Sequence, residues 1–476
     1  MYPAPTDEAR RDWHVQRHTT PKAVPNGPQG IAFWWGLDRF RRHPLAYLEE
    51  LAQRYGNISL LPVPGRPLYF INHPDLVQHV LQSPNYVRGV GPDDLFARFL
   101  GHNRGQNKGL LINDGPSWLR QRRLMQPAFH QQSIARLGTQ MTEATLALAD
   151  HWKAADSQGV LLDVAADMTR LTLRIVCAAL FGADLSQHEV DQLSASFAVI
   201  VQGLAAASFH PLARLAYWPG VPSWQQRRFW QANGHLDAVV YRIIKERRDQ
   251  PADRGDLLSL LLAACDEETS AGMDDQQLRD EVLTLIFAGH ETTAVALSWI
   301  WYVLSTHPAV LNRLHTELDN VLGGRVPTIP DLPSLPFGLM VVEETMRLYP
   351  PAWMFSRTTL TEDKLGDYLL PKGGVVLMSP YTLHRHPAFW NRPEVFEPER
   401  FTPEQAKGRP RYAYFPFAGG AHQCIGNQFA LIEAQLVLAT LAQQFQLHLV
   451  PGQYVEPEPL ITLHIRHGLR MRIERR

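Results

Sequence analysis

The sequence predicts a mainly α protein of the α+β type, with a large helical part around one long central helix and small β-sheets. Three observations predict it. The stretch from about Asp275 to Ser305 has no internal proline and is apolar almost all round over Val282–Ile300, as a helix buried on every side must be. Helical patterns follow one another from Asp114 to about residue 325. After Leu335 the composition shifts to short strand-like pieces set among proline-rich loops.

The elements follow in order. Pro21–Gly30 is rich in Pro and Gly, and we read residues 1–30 as an entry segment to a single domain over 31–476. Pro44–Tyr55 reads as a helix. Asn57–Pro62 and Pro67–Asn72 read as strands around a Pro64-Gly65 turn, and His73–Gln82 as a short helix. Ser83–Leu110 is long and irregular, with Leu95, Phe96, Phe99 and Leu100 in it; a loop of that length in a compact domain usually serves function, here covering a pocket. Asp114-Gly115-Pro116 starts a helix. Met141–Ala155, Leu161–Phe181, Val190–Ala207 and Ser223–Arg248 follow as helices, with an aromatic and proline-rich break over 209–222. The central helix would be about 45 Å long and stop before Pro308. Asp367–Leu370, Gly374–Ser379, Ile461–Ile465 and Leu469–Ile473 read as strands, and Asn427–Phe445 as a buried helix.

Composition narrows the function. The 476 residues are 45% hydrophobic, with a formal net charge of −1, which argues against a nucleic-acid binder. Three cysteines are not a disulfide framework, so the chain reads as intracellular, reduced and cytoplasmic. Met1–Thr20 is polar and is neither a signal peptide nor an anchor. The longest apolar runs, such as Leu257–Cys265 and Ala294–Leu304, are too short to span a bilayer, so no transmembrane anchor is expected.

Four stretches carry chemistry. Cys424 lies in FAGGAHQCIG, among glycines and ahead of a helix. The positive end of a helix and its unpaired amides favour thiolate over thiol, which makes Cys424 a candidate metal ligand or nucleophile. Cys177 and Cys265 read as small buried hydrophobes. Trp118 and Arg122 share one helix face, and an indole N–H with a guanidinium can grip a carboxylate. In Ala288-Gly289-His290-Glu291-Thr292-Thr293, a buried acid adjoins an alcohol, a pairing suited to proton delivery; the competing reading is a helix bend with Glu291 salt-bridged elsewhere. Glu344 and Arg347 form an i,i+3 pair.

Together these stretches resemble the cytochrome P450 family over nearly the whole chain. The Cys loop fits F-x-x-G-x-[R/H]-x-C-x-G at Phe417, Gly420, His422, Cys424 and Gly426. The central helix fits [A/G]-G-x-[D/E]-T-[T/S] at Ala288–Thr293. Glu344 and Arg347 fit the E-x-x-R pair, and Pro393–Phe401 fits P-x-x-F-x-P-x-R-F.

The resemblance implies a haem-thiolate monooxygenase that inserts one oxygen atom from O2 into a C–H bond. It makes Cys424 the axial thiolate of haem b, the handhold that this chemistry uses. It assigns haem contacts to Trp118, Arg122, Ala288, Arg357, Phe417, Gly420, His422, Cys424 and Gly426, with Trp118, Arg122, Arg357 and His422 on the propionates. It makes Glu291 and Thr292 the catalytic acid–alcohol pair, and Glu344, Arg347 and Arg400 a structural ion-pair triad. Ala288 stands where some relatives have an acid that attaches haem covalently, so covalent attachment is not expected. No flavin or ferredoxin module follows the Cys domain, so electrons are expected from a separate ferredoxin or flavodoxin with an NAD(P)H reductase. Arg120, Arg123, Arg409 and Arg411 are candidates for the basic surface that would meet it. The substrate is expected to be a hydrophobic small molecule such as a fatty acid, terpenoid or carotenoid, met by the 91–111 loop, 195–222, Leu285–Thr292 and Ala352–Phe355, and the protein a monomer. The alternatives are a peroxide-driven haem-thiolate peroxygenase and a non-enzymatic haem sensor.

Overall fold

The structure, a computed structural model, describes residues 24–63, 67–88, 109–182, 185–209, 223–250, 254–266 and 271–476. Most of the entry segment, the Pro64-Gly65 turn, Leu95, Phe96, Phe99, Leu100 and the 210–222 break lie outside the described residues. The chain divides into two compact units. One comprises Met1–Gly89 and Met346–Cys424, the other Val90–Thr345 and Ile425–Arg476.

The first unit is built on a sheet that, among the described residues, has five strands in the order Ile58–Leu61, Leu68–Ile71, Val375–Met378, Phe355–Thr359 and Tyr86–Val87. Leu68–Ile71 runs parallel to Val375–Met378, with Leu68 opposite Val375 and Ile71 opposite Met378. The other pairings are antiparallel. The helix Pro74–Gln82 starts with Pro in its first turn, and the His73 side chain accepts the Asp75 amide. It lays Leu76, Val77, Val80 and Leu81 against Tyr69, Ile71, Val376 and Met378 in one core. The same core takes in Tyr412 and Phe415, which ties the start of the Cys424 loop to the sheet.

The second unit is helical around Asp275–Thr306. Its N-cap is Asp274, whose carboxylate accepts the Gln277 amide at 2.7 Å. It packs along Val164–Phe181, where the Thr172 hydroxyl donates to the carbonyl of His290 at 2.9 Å. Farther along, Trp152 meets Trp301 and Phe445 edge-on. Among the described residues two small antiparallel sheets complete the unit. One pairs Arg470–Arg475 with Phe445–Leu449 and Leu162–Asp163, and the other pairs Pro457–Pro459 with Leu463–Ile465.

Several boundaries differ from the sequence reading for local reasons. The helix predicted from Leu161 starts at Val164, because Leu162–Asp163 pairs as a strand and Asp163 then caps the helix by accepting the Ala166 amide. The helix predicted over Asn427–Phe445 stops at Ala442. Phe445 opens a strand and is fully buried there. The helix predicted from Met141 starts at Gln131, and Ile134 and Leu137 are buried on the added turns. Among the described residues two helices, within His188–Ala207 and Asp275–Thr306, are long and apolar enough to cross a membrane by composition, which counting uninterrupted apolar runs does not detect. The apolar window of the second is 83% buried within the protein, so its apolarity serves the core.

Candidate active site

The Cys424 loop belongs to the first unit. Its backbone is folded back on itself: Ala418 N donates to Phe415 O at 3.0 Å, Gln423 N to Gly420 O at 3.2 Å and Cys424 N to Phe417 O at 3.0 Å. Gly420–His422 forms a 3-10 turn. Two positions show why glycine is needed. Gly420 has φ +66°, and a Cβ there would lie 1.9 Å from the carbonyl oxygen of Leu81. A Cβ on Gly419 would lie 2.5 Å from the Tyr412 ring. The loop therefore seats on the helix Pro74–Gln82 and on Tyr412 with no room for a side chain at either glycine. Cys424 itself is exposed. The helix Asn427–Ala442 starts three residues on, and its N-cap Gly426 has no side chain to satisfy the first amides.

Residues behind this loop act as braces. Arg347 donates through Nη1 to the carbonyls of His384 (2.9 Å) and Pro393 (2.7 Å), and through Nη2 to that of Val395 (3.1 Å). Its guanidinium also stacks on Trp390. His384 accepts the Phe415 amide through Nε2 at 2.9 Å. Burial, then the charges of Arg347 and Arg385, push the His384 pKa well down, so the ring is neutral and able to accept. Arg400 donates to the carbonyl of Arg392 at 3.0 Å and pairs with Glu397 at 2.9 Å. Arg347 and Arg400 thus both fasten the proline-rich 393–401 stretch. Arg357 sits opposite Val376 in the sheet, buried, with Nη1 donating to Ser356 O at 2.8 Å.

The remaining candidate residues belong to the second unit. Trp118 and Arg122 lie on Gly115–Met125, capped by Asp114, which accepts the Gly115 amide at 2.9 Å. Trp118 is buried and Arg122 half-buried. Of the four arginines expected on a partner-facing surface, Arg120 donates to the carbonyls of Ala271 and Gly272, and Arg123 pairs with Asp266 at 3.1 Å. In the first unit Arg409 stacks on Trp390 with its guanidinium 4.1 Å from the ring centre. These three hold local structure, whereas Arg411 is exposed beside Tyr412.

The acid–alcohol pair on the central helix points two ways. Thr292 Oγ1 donates to the carbonyl of Ala288 at 2.7 Å. That bond is the back-bonding expected of a helical threonine. Glu291 turns to the hairpin formed by Pro457–Pro459 and Leu463–Ile465. Its Oε1 accepts the Thr462 hydroxyl at 2.9 Å and lies 2.6 Å from His464 Nε2. His290 Nε2 is 3.9 Å from Glu291 Oε2. Of the two readings of the motif, the ion pair of Glu291 with another element is present, while the acid adjoins the alcohol in sequence alone. Burial would push the Glu291 carboxyl up. The His464 hydrogen bond and charge, with help from His290 and Thr462, outweigh burial and hold it at about 2. Burial would lower His464, and its bond to Glu291 raises it instead. Neither His464 nor Thr462 was a site residue in the sequence reading. The signal available was weak: His464 interrupts an apolar strand between the buried Leu463 and Ile465.

The donor set fits a haem iron. Cys424 offers one exposed soft sulfur on a loop whose backbone is tied by its own hydrogen bonds, and among the described residues no cluster of three His, Cys, Asp or Glu could hold a bare metal ion.

Comparison with known proteins agrees with that donor set. Residues 25–467 match the family model described as Cytochrome P450. The chain is 38% identical to cyclooctatin synthase of Streptomyces melanosporofaciens over 456 residues, covering 96% of this chain and 95% of the relative. It is 36% identical to cyclooctat-9-en-7-ol 5-monooxygenase of the same organism, covering 91% and 90%. It is 32% identical to pentalenene oxygenase of Streptomyces avermitilis, covering 96% and 97%. Among solved structures, the heme domain of cytochrome P450DA superposes with a TM-score of 0.84 at 28% identity, covering 96% of this chain and 99% of that one.

Proposed function

This chain belongs to the cytochrome P450 family, and from that premise we propose that it is a haem-thiolate monooxygenase that hydroxylates a cyclic terpene hydrocarbon or terpene alcohol. The observation that carries the chemistry is the Cys424 loop, a single exposed thiol on a backbone locked by its own hydrogen bonds. The relatives named for terpenoid oxidation, matched over nine-tenths or more of this chain, support the substrate class.

Cys424 would bind the iron of haem b, with Phe417, Gly420 and Gly426 shaping the loop around the sulfur. Trp118, Arg122, Arg357 and His422 would hold the propionates, and Ala288 would border the ring. The haem, when bound, supplies the activation of O2 and the oxidation of the C–H bond. The chain's own residues supply orientation and protons. Thr292 holds its hydroxyl on the Ala288 carbonyl, and swinging it from that bond presents an O–H to the reacting oxygen. Glu291, deprotonated and buried, is the acceptor and donor that restores the Thr292 proton. Electrons would come from a separate ferredoxin or flavodoxin with its NAD(P)H reductase, and the protein would work as a cytoplasmic monomer.

The test is Thr292→Ala assayed with a ferredoxin, its reductase, NADPH and a panel of cyclic terpenes. Loss of product with continued NADPH consumption and released peroxide supports the reading. Undiminished product per NADPH contradicts the role of Thr292. Turnover of the native chain with peroxide alone, and none with the reductase system, would instead favour the peroxygenase.

A further inference from the structure

Glu291 is a buried carboxylate whose strongest partner is not on its own helix. His464, 173 residues later, meets it at 2.6 Å. The side chain of Glu291 is 5% exposed and that of His464 is 30% exposed. One ring therefore bridges a buried acid and solvent.

The hairpin that carries His464 is fixed to the same helix. Trp299, two turns beyond Glu291 and buried, donates its indole N–H to the carbonyl of Leu463 at 2.7 Å. Thr462, one residue before Leu463, donates to Glu291 itself. The strand that carries the imidazole is thus tied to the central helix by two bonds from the residues just before it. Across the hairpin, Glu458 stands opposite His464 in the strand register and adds a second negative charge that favours the imidazolium. Arg466 balances that charge through Glu456 and Glu458. On the helix side, His290 faces Glu291 at 3.9 Å, but burial lowers its pKa and its Nδ1 is spent on Ile286 O. Glu433, on Asn427–Ala442, adjoins Thr293, and burial keeps it protonated. Of these groups, His464 combines contact with Glu291, a readily exchanged proton and access to water.

We propose that His464 is a positioning and proton-supply residue for the oxygenation, acting through Glu291, and this rests on the function proposed above. In the step, the Nε2–H bond of the imidazolium breaks and an O–H bond forms at Glu291 Oε1. The imidazolium becomes neutral imidazole and the carboxylate becomes a carboxylic acid. Neutralising both ends removes the charge attraction that keeps the carboxyl in the hairpin, which frees it to turn toward Thr292. Water then returns a proton to the part-exposed ring. A histidine does this near neutral pH because its charge changes there; an arginine or lysine at 464 would hold the acid without releasing a proton.

Two variants and one spectroscopic readout test the proposal in the haem-loaded protein. Histidine NMR of the reduced, CO-bound protein should give His464 a pKa above the ordinary histidine value, falling back toward it in Glu291→Gln. In the reconstituted system, product per NADPH should decline as pH rises through that same pKa. His464→Gln keeps a hydrogen-bond donor and His464→Lys keeps the charge, but both should lose about tenfold or more in product formation, with peroxide released and with substrate-binding spectra unchanged. Full coupling in His464→Lys would overturn the proposal, because the residue would then be only an electrostatic anchor. An unchanged His464 pKa in Glu291→Gln would overturn it as well. A native protein that binds haem without the reduced-CO signature of thiolate ligation would refute the proposed function, while the NMR titration would still decide the Glu291–His464 pair.

Discussion

Gly420 rests against Leu81 so closely that a Cβ on Gly420 would lie 1.9 Å from the Leu81 carbonyl oxygen. Gly420→Ala must therefore displace the Cys424 loop from the helix Pro74–Gln82. It also places an alanine at φ +66°, which costs about 1–2 kcal/mol before any clash is counted. We expect this variant to fold with a lowered melting temperature and to retain less haem per chain, measured by the ratio of Soret to protein absorbance. Native haem content would show that the contact does not shape the loop.

Arg247 and Asp256 form an ion pair with both side chains 1% exposed, at 2.6 Å, and Arg247 also donates to the carbonyl of Phe181 at 2.9 Å and to Ser259. Removing one partner strands the other charge out of water. Asp256→Ala should cost about 3–5 kcal/mol, read from the urea midpoint, and the matched change Arg247→Met with Asp256→Leu should cost less than that single variant.

Glu281 gives a pH signature. Burial, opposed by the Leu110 amide at 2.9 Å and aided by Asp280, raises its carboxyl to about 8. The folded chain therefore keeps a proton there that the unfolded chain releases above its ordinary value near 4.5. The stability from this group is fully present below that value and is lost as pH rises to about 8, at about 1.4 kcal/mol per unit of pKa difference. Compared with the native chain, Glu281→Gln should lose less stability between those limits. Parallel melting curves for the two proteins would contradict the assignment.

The cysteines should react unequally. Burial pushes the Cys177 thiol up to about 12, while Cys424 is exposed and so is Cys265, contrary to its sequence reading as a buried hydrophobe. In haem-free protein a thiol reagent should modify Cys265 and Cys424 and spare Cys177 until the chain unfolds. Loading haem should protect Cys424 alone, as mass spectrometry of the peptides would show.

These residues also mark what the sequence displays and what it hides. The central helix was legible because its apolar run is long, and it spans Asp275–Thr306 in the structure. The helix starts at Asp114 and Ser223 were legible to within a residue, and in the structure both residues cap their helices by accepting local amides. The Cys424 loop was legible because its glycines and its thiol adjoin in the chain. Strands that pair only with distant partners, such as Phe355–Thr359 and Phe445–Leu449, were not. The pairing of Glu291 with His464 was hidden for the same reason: no local rule brings together groups 173 residues apart. Sequence placed an acid beside an alcohol, and packing decided where the acid points.

Insertion of one atom of O2 into a terpene C–H bond leaves an isotopic record in the product. The most direct measurement supplies 18O2 to the native protein with a ferredoxin, its reductase, NADPH and a cyclic terpene, and weighs the alcohol formed. Each new hydroxyl group should carry one 18O atom. A new hydroxyl group whose oxygen comes from water would contradict that insertion.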